Sequence, residues 1–525
     1  MYRSSERGFQ WIADAYGRTL NSVLGHPVLT LVVLAATLGL NVYLYIRVPK
    51  GFFPEQDNGR MTGSIQADQD SSFQSMQDRL LQILKIVESD RAVENVIGFT
   101  GGQGGGGVTT NTARLFVSLK PLDQRKASAQ QIIARLRPRL AVVPGATLYL
   151  QASQDVRIGG RQSNALYQFT MTGDNFNDLT AFAPRMLAQL RHVRMLTDVS
   201  SDQQNQGLES NVEIDRITAA RFNISPQLVD DTLYDAFGQR QVSTMYTALN
   251  QYHVVMEVAP PYWQNPLSLR DIYVHAPGGQ QVPLNTLTHY VPSTAPLAVS
   301  HQGLFPAVTI SFNLAPGAAL GDAVNAITQA ARAIQLPATI HTTFAGTAEA
   351  YQQSLGNEPV LIAAALATVY IVLGILYESY VHPITILSTL PSAGVGALLA
   401  LLLFHTDLSI ISMIGIILLI GIVKKNGILM IDFALAAERN EGKSSRDAIY
   451  QACILRFRPI LMTTMAALLG ALPLAIGTGT GSELRRPLGI TIIGGLIVSQ
   501  LLTLYTTPVV YLALDRLRKV PGRAS

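Results

Sequence analysis

Two adjacent lysines stand inside an otherwise apolar run of this sequence. Between residues 408 and 433 the charged side chains are Lys424, Lys425 and Asp432, and Asn426 follows the lysines directly. A lysine at the centre of a membrane-spanning helix costs roughly 2.5–3.5 kcal/mol on insertion scales, so such residues usually serve a function. Neighbouring residues of a helix lie about 100° apart, so the two lysines cannot share one interface. Lys425 is therefore a candidate functional cation, and snorkelling toward the cytoplasm is the alternative for each lysine.

A second polar group lies around the start of the next apolar run. Arg456 and Thr463 lie seven residues apart, and two helical turns return them to nearly the same face. Together with Thr464 they form a polar stripe that can face Lys425. The alternative is an arginine at the membrane interface and a threonine bonded to its own backbone.

Cations outnumber anions inside these runs. Asp432 is the one carboxylate well within them, two turns from Lys425 and nearer the predicted cytoplasmic end. A buried ammonium needs a carboxylate partner, because desolvation otherwise drives lysine to lose its proton. The sequence therefore predicts that the acidic partners come from another membrane element.

The elements that must position these residues are six apolar runs. Charged residues are 14% and hydrophobic residues 48% of the 525-residue chain, whereas a soluble protein carries about 25% charged residues. Each run approaches the roughly 20 residues that a helix needs to cross a bilayer. Buried core helices are the alternative, but five runs fall in the last third of the chain. The runs are 27–46, 359–377, 383–404, 408–433, 459–476 and 488–514.

The distribution of Arg and Lys predicts the orientation of these spans. Basic residues concentrate before the first run, between the fourth and fifth runs, and in the tail, with Arg485 and Arg486 as exceptions. The positive-inside rule places both ends in the cytoplasm. Residues 1–26 are then a cytoplasmic segment with an amphipathic helix, 27–46 the first span, 357–514 five further spans and 515–525 a cytoplasmic tail. The large insert after one span lies outside the cytoplasm, which predicts a multi-pass membrane protein with a large domain outside the cytoplasm.

The outer domain alternates strand and helix patterns. The fold class is thus a polytopic α-helical membrane protein with six spans and a large α+β domain of ferredoxin-like βαβ subdomains. One βαββαβ unit falls in 50–164, where Ser128 is a predicted helix N-cap and Pro138 a stop signal. A second unit falls in 165–212 and 301–352, with 208–214 as one of its strands. Residues 213–300 interrupt it as a separate subdomain.

Several other functions find no support in the sequence. The run from Gly102 to Gly107 formally satisfies G-x-G-x-x-G, but it precedes a strand, whereas a nucleotide site needs it to open a helix. The nine histidines show no paired metal spacing, and Cys453 is the one cysteine. No nucleophile and base are arranged for hydrolysis. We therefore expect no cofactor, no metal, no nucleic acid and no enzyme activity.

Six segments together resemble the C-terminal half of a resistance–nodulation–cell division (RND) multidrug efflux transporter, the inner-membrane pump of tripartite exporters. The resemblance implies that the chain is half of a family protomer in the cell inner membrane, with its large domain in the periplasm. It also implies porter subdomains at 50–164 and at 165–212 plus 301–352, and a docking subdomain at 213–300. The segments are FFPEQDNG at 52–59, AFGQR at 236–240, YIVLGILYESY at 370–380, GIVKKN at 421–426, RFRPILMTT at 456–464 and GSELRRPLG at 481–489.

The resemblance also implies a proton relay. The membrane lysine of the family matches Lys425, followed by Asn426, and its arginine and threonine match Arg456 and Thr463. The paired aspartates of the family lie in its N-terminal half and have no match here. This sequence departs from the family by its second lysine, Lys424, and by a glycine-expanded loop at 101–107.

A substrate path is implied at three aromatic residues. Phe99 stands at the mouth of the glycine-rich loop, which is similar to the family's gating loop between two substrate pockets. Tyr167 and Phe169 begin the second unit. The alternative for these two, which share one face of a strand, is a place in the core.

By the resemblance, the expected function is proton-driven antiport of drugs and other amphiphiles, a secondary active transport. Its expected partners are an N-terminal half with paired membrane aspartates, a trimer of like or related subunits, a periplasmic adaptor and an outer-membrane channel. A heavy-metal exporter of the same family is one alternative. A truncated remnant that does not transport is another.

Overall fold

The computed structural model describes residues 2–101, 109–156, 158–161, 163–263 and 265–518, and only the backbone of 2–8, 355–359 and 516–518. Most of the glycine-rich loop therefore lies outside the described residues. The chain divides into two compact units. The first comprises residues 1–67, 73–203 and 300–525, and the second comprises 68–72 and 204–299.

Helices and strands occupy most of the described chain. The helices are α1 (Tyr2–Gly25), α2 (Pro27–Arg47), α3 (Phe73–Glu88), α4 (Leu122–Arg125), α5 (Ala129–Leu140), α6 (Phe176–Arg191), α7 (Arg216–Arg221), α8 (Pro226–Phe237), α9 (Pro260–Trp263), α10 (Leu284–Leu287), α11 (Leu320–Ala333), α12 (Thr347–Tyr377), α13 (Val381–Leu387), α14 (Leu390–Leu403), α15 (Ile410–Glu441), α16 (Ser445–Ile476) and α17 (Ser482–Arg518), with a 3-10 helix at Pro266–Asp271. The strands are β1 (Arg60–Ala67), β2 (Val93–Thr100), β3 (Thr112–Leu119), β4 (Ala146–Ala152), β5 (Tyr167–Gly173), β6 (Leu196–Ser201), β7 (Gly207–Ile214), β8 (Arg240–Tyr246), β9 (Gln251–Met256), β10 (Tyr273–His275), β11 (Gln281–Pro283), β12 (Thr288–Ala295), β13 (His301–Gln302), β14 (Phe305–Leu314) and β15 (Ile340–Ala345).

Six helices of the described chain are long and apolar enough to cross a membrane, which confirms the predicted number of spans. They are Pro27–Arg47, Val360–Tyr377, Val381–Leu403, Ile410–Glu441, Ser445–Ile476 and Ser482–Asp515.

The fourth and fifth spans are longer than the apolar runs that predicted them. α15 continues to a left-handed Gly442, and α16 begins directly after Ser444, whose side chain accepts a hydrogen bond from the backbone N–H of Asp447. Charged residues extend both helices beyond the apolar segment. Arg456, which comes three residues before the apolar run at 459–476, therefore lies inside α16.

The predicted amphipathic helix at the N-terminus is α1. Its Tyr16 and Leu20 are buried, whereas Trp11 is 68% exposed. The Tyr16 ring stacks on Phe457 of α16 with ring centroids 4.6 Å apart. Its hydroxyl donates a hydrogen bond to the carbonyl of Leu504 on α17 at 2.9 Å. These contacts fix α1 against α16 and α17.

The first βαββαβ subdomain has an antiparallel sheet of order β2-β3-β1-β4, covered on one face by α3 and α5. Ser128 forms a capping box with Gln131, which confirms the predicted N-cap. Pro138 does not stop α5, which continues to Leu140, because a proline in the last turn removes only one helical hydrogen bond. The sequence pattern does not reveal β2, an edge strand whose pairing with β3 shifts register between Val93 and Asn95.

The second βαββαβ subdomain pairs β13, β14, β5 and β15 in that order, with β6 also on β14. The predicted strand at 208–214 does not belong to it. That segment is β7, which pairs with β12 in the other compact unit, so the insert begins at Gln204 instead of residue 213. The strand that follows α6 is β6, which is polar and interrupted by Asp198 in a left-handed conformation with φ of 52°. β6 therefore lacks the alternating hydrophobic pattern by which a strand is predicted from sequence.

The second compact unit has its own hydrophobic core. Val229 of α8, Val274 of β10, and Leu284 and Leu287 of α10 are fully buried in it. A two-stranded hairpin, β8–β9, and the β7–β12 pair complete the unit. A subdomain with its own core agrees with the predicted interruption.

α14 and α17 cross in the membrane region with their backbones in contact. A Cβ placed on Gly396 would lie 2.3 Å from the carbonyl oxygen of Gly494. A Cβ on Gly495 would lie 2.3 Å from a methyl group of Leu419 on α15. Small residues allow such close helix approach in membranes. They place α17 beside both α14 and α15.

Candidate functional site

The polar residues of α15 point in different directions. Lys425 is exposed and Lys424 is half-buried, whereas Asn426 is only 8% exposed. One residue step turns a helix by about 100°, which separates the directions of Lys425 and Asn426. The structure therefore turns the ammonium outward and the neighbouring amide into the helix bundle.

Asn426 begins a chain of hydrogen bonds across three helices. Its Nδ2 donates to Oγ1 of Thr464 on α16 at 3.3 Å. Oγ1 of Thr464 donates to Oε1 of Gln500 on α17 at 2.7 Å. Thr464 is 3% exposed. We call Asn426, Thr464 and Gln500 the polar chain.

The third member of the polar chain, Gln500, was not among the residues predicted from the sequence. Gln500 is an isolated amide in the last apolar run, and that isolation was the available signal. Its partner could not be found from the sequence, because the bond joins residues on different helices. Within the described residues its Nε2 is buried without a hydrogen-bond partner.

Thr463 does not join the polar chain. Its side chain is exposed, and its Oγ1 donates to the carbonyl of Ile460 on the same helix at 3.1 Å. That is the backbone-bonded alternative considered for this residue. Within this chain the threonine that meets the polar residue of α15 is Thr464. Thr463, like Lys425, is left exposed.

Arg456 packs against an aromatic ring. Its guanidinium carbon lies 3.6 Å from the ring centroid of Phe433 on α15, a cation–π geometry. Its Nε is buried without a hydrogen-bond partner among the described residues. Of the four predicted relay residues, Asn426 belongs to the polar chain, and we call the other three, Lys425, Arg456 and Thr463, the relay group.

The relay group has no acidic partner in the part of the chain that the structure describes. The ion pairs found there involve neither Lys425 nor Arg456. Asp432 is exposed and belongs to none of the ion pairs between described residues. Lys425 lies near the middle of the 32-residue α15, where its surroundings are lipid or another protein segment. An ammonium there favours protein carboxylates over hydrocarbon.

Phe99 lies on the surface of the first βαββαβ subdomain. Its ring is 56% exposed on edge strand β2 and contacts Phe116 of β3, with centroids 6.3 Å apart. Ile97 on the same strand is also 56% exposed. These residues form an apolar surface on the strand that ends at Thr100.

Tyr167 and Phe169 lie in a core, which favours the alternative considered for them. They are 5% and 2% exposed. Tyr167 stacks on Phe312 at 5.7 Å, and Phe169 meets Phe344 edge-on at 5.2 Å between centroids. Their strand, β5, is internal to its sheet, between β14 and β15. The shared face that suggested a substrate surface packs against the protein interior.

A cavity of about 320 Å³ lies in the first compact unit. Its wall combines the aromatic Phe52 and Tyr167 with the carboxyl groups of Glu55 and Asp407. Burial raises the pKa of both carboxyl groups above the ordinary range, and a hydrogen bond from Gln130 opposes that rise at Glu55. Tyr167 thus reaches a cavity wall from its core position.

A sequence profile of the AcrB/AcrD/AcrF family matches residues 1–515. The chain belongs to this family of RND transporters. It is 58% identical to multidrug resistance protein MdtC of Yersinia enterocolitica over 507 residues, which are 97% of this chain and 49% of that protein. The identity to MdtC of Serratia proteamaculans is also 58%, over the same shares. The chain thus spans about half the length of the curated relatives it matches.

A solved structure of a heavy metal efflux pump has the same fold. It superposes with a TM-score of 0.87 and 23% sequence identity, over 97% of this chain and 53% of that one. The family match and this likeness confirm the expected RND fold, with membrane helices and mixed α/β domains. The chain is a multi-pass membrane protein.

Proposed function

We propose that the chain is half of a proton-driven efflux pump that exports drugs and other amphiphiles. Its relatives are named multidrug resistance proteins, and nearly all of this chain matches about half the length of each. The exposed aromatic surface at Phe99 suits amphiphiles, because apolar area makes contact without fixed hydrogen bonds. The pump is a secondary active transporter.

One observation carries the proton coupling. The relay group holds two cations in membrane helices, and the described residues supply no acid to either. Burying unpaired charges is costly, so a second protein element must cover them with carboxylates. We infer that paired aspartates of an N-terminal half are those carboxylates.

The relay group then acts as a switch that responds to proton occupancy. Lys425 pairs with the acids when they are ionised and is released when they are protonated. Arg456 stabilises the deprotonated acids on the cytoplasmic side, and Thr463 orients a side chain or water between them. Such a two-state element couples proton flow to a conformational change.

The proposed setting is the inner membrane, with the large α+β domain in the periplasm. The subdomains at 50–164 and 165–203 plus 300–352 would be porter subdomains, and the unit at 204–299 the docking subdomain. The partners are the N-terminal half, like or related subunits in a trimer, a periplasmic adaptor and an outer-membrane channel.

The experiment is a pair of alanine variants in the reconstituted whole pump. Lys425→Ala should abolish efflux driven by an imposed pH gradient in proteoliposomes, with insertion and trimer size unchanged. Lys424→Ala is the matched control, since this lysine is half-buried at the preceding position of the same helix. It should keep most of the activity. Normal pumping by Lys425→Ala, or loss in Lys424→Ala alone, would refute the assignment.

The alternatives make different predictions. A heavy-metal exporter needs clustered ligands, and no group of three or more His, Cys, Asp or Glu that could hold a metal occurs among the described residues. The likeness to a heavy metal pump is at 23% identity and concerns the fold. A remnant without transport would have no complementary half with membrane aspartates encoded upstream of its gene.

A further inference from the structure

The polar chain joins three membrane helices at one level. In hydrocarbon there is no water to replace a broken hydrogen bond, so each bond restrains the groups that make it. Asn426 and Thr464 are 8% and 3% exposed. The bonds between them and Gln500 are therefore sheltered by protein.

The polar chain has a defined direction. The hydroxyl of Thr464 carries one hydrogen and gives it to Gln500 at 2.7 Å. It must then accept from Asn426, whose Nδ2 lies 3.3 Å away. Loss of the Gln500 acceptor would free the Thr464 hydroxyl to rotate toward its own backbone, which weakens the bond from Asn426 as well.

Two buried residues of the polar chain are each the direct sequence neighbour of an exposed residue of the relay group. Asn426 follows Lys425 on α15, and Thr464 follows Thr463 on α16. Neighbouring side chains on a helix keep a fixed angular offset of about 100°. A hydrogen bond that holds the buried residue in place therefore also sets the direction of its exposed neighbour.

The third helix supplies a rigid reference for this arrangement. Gly494 of α17 touches the backbone of α14, and Gly495 approaches Leu419 of α15 so closely that a Cβ would lie 2.3 Å from its methyl group. Gln500 is less than two turns further along α17. Rotation or sliding of α17 at this point would cause backbone clashes.

We propose that Gln500 is a positioning residue of the relay, acting through Thr464 and Asn426 to hold Lys425 and Thr463 at the angle at which they meet their acidic partners. The inference rests on the proposed function and adds to it a residue outside the relay group. Gln500 acts through its hydrogen bond with Thr464. Its effect is to keep the rotational register of α15 and α16.

The transport test uses Gln500→Leu and Thr464→Val in the reconstituted whole pump. Both remove the polar chain at nearly constant volume. Each should lower kcat per trimer by roughly tenfold to a hundredfold, the cost of a small misplacement of reacting groups, with KM for the drug unchanged. Thr464→Ser keeps the hydroxyl and should restore most of the activity.

Thr503→Val is the matched control. Thr503 lies one turn from Gln500 on α17 and is 3% exposed, and its hydroxyl donates to the carbonyl of Ser499 on its own helix at 2.6 Å. It should leave kcat unchanged. A loss equal to that of Gln500→Leu would show that any buried polar deletion in α17 has the same effect, and would overturn the proposal.

A second measurement does not depend on transport. A Lys425→Cys reporter thiol in the whole pump reacts with a maleimide at a rate set by its direction and surroundings, while Cys453, the one native cysteine of this chain, is fully buried. Adding Gln500→Leu should change that rate by about twofold or more, the size expected for a residue coupled through a packed network. Adding Thr503→Val should not.

The outcomes separate the two proposals. An unchanged thiol rate, or a reduced yield of folded pump with normal kcat per trimer, would show that Gln500 is merely structural. Equal loss in Thr464→Ser and Thr464→Val would overturn the role of the hydroxyl. If Lys425→Ala pumps normally, the proposed function fails, and the thiol rate still decides whether Gln500 sets the direction of position 425.

Discussion

The ion pair between Asp57 and Arg125 holds the first βαββαβ subdomain to the segment that leads into it from the membrane. Oδ1 of Asp57 lies 2.6 Å from an Nη of Arg125, and the two side chains are 11% and 1% exposed. Oδ2 accepts a hydrogen bond from the backbone N–H of Ala129, the first residue of α5, at 2.9 Å. We predict that Asp57→Ala frees the N-terminal end of α5 from this segment and lowers the stability of the helix.

The size of the effect follows from burial. Removing one partner of a buried pair leaves an uncompensated charge and costs about 3–5 kcal/mol. The matched control is Arg137→Ala, also on α5, because Arg137 is 50% exposed in its pair with Asp198. An exposed pair contributes about 0–1 kcal/mol. The two variants should therefore differ by at least 2 kcal/mol, roughly a thirtyfold change in an equilibrium constant.

Hydrogen exchange of the α5 amides in the full chain measures this difference. Protection of residues 129–140 should fall by about a hundredfold or more in Asp57→Ala, up to the limit set by the stability of the subdomain. In Arg137→Ala it should change by less than about tenfold. Equal protection in the two variants would refute the assignment of this pair as a buried restraint.

The same pair predicts a dependence on pH. Burial alone would raise the pKa of Asp57, but the hydrogen bond from Arg125 and those from the backbone N–H groups of Ala129 and Gly59 outweigh it and lower the pKa. A lowered native pKa means that the stabilisation is complete above the unfolded pKa of about 3.9. It is lost as pH falls through the native pKa. Protection of α5 should thus stay constant from neutral pH down to about pH 5 and then fall in the wild type but not in Asp57→Ala.

Two further predictions concern packing and the substrate surface. Gly396→Val should destabilise this chain by about 1–3 kcal/mol or more in thermal denaturation, because its Cβ would lie 2.3 Å from the Gly494 carbonyl oxygen. Gly470→Ala is the control and should not destabilise the chain, because a Cβ there meets nothing within 4 Å. Equal melting temperatures for the two variants would contradict the close crossing of α14 and α17. Phe99→Ala should change resistance to some compounds only, whereas Phe169→Ala should cost about 3–5 kcal/mol and lower folded protein and resistance to all. A panel of inhibitory concentrations distinguishes these patterns, and uniform loss in Phe99→Ala would indicate a folding defect.

Features that depend on nearby residues were predictable from the sequence. The six spans follow from the length and apolarity of single segments, which a bilayer requires of any helix. The capping box of Ser128 and Gln131 spans four residues and forms as expected. The excess of cations over acids in the apolar runs follows from counting charges in the sequence. These properties need no knowledge of which helices become neighbours.

Features that depend on pairing between distant segments were decided by the tertiary structure. β7 has a clear strand pattern, but only its pairing with β12 shows that it belongs to the other unit. Tyr167 and Phe169 have the same pattern whether their face meets solvent or a core. Their burial depends on Phe312 and Phe344, more than 140 residues away.

The polar chain shows the same division inside the membrane. Helical periodicity placed Thr463 and Thr464 near one stripe, but a step of 100° is too coarse to tell which of them meets α15. The structure selects Thr464 and adds Gln500, 36 residues further along the chain. A hydrogen bond has a reach of about 3 Å, so its partners are decided by the angle and depth at which helices pack. The sequence of any one helix does not contain that information.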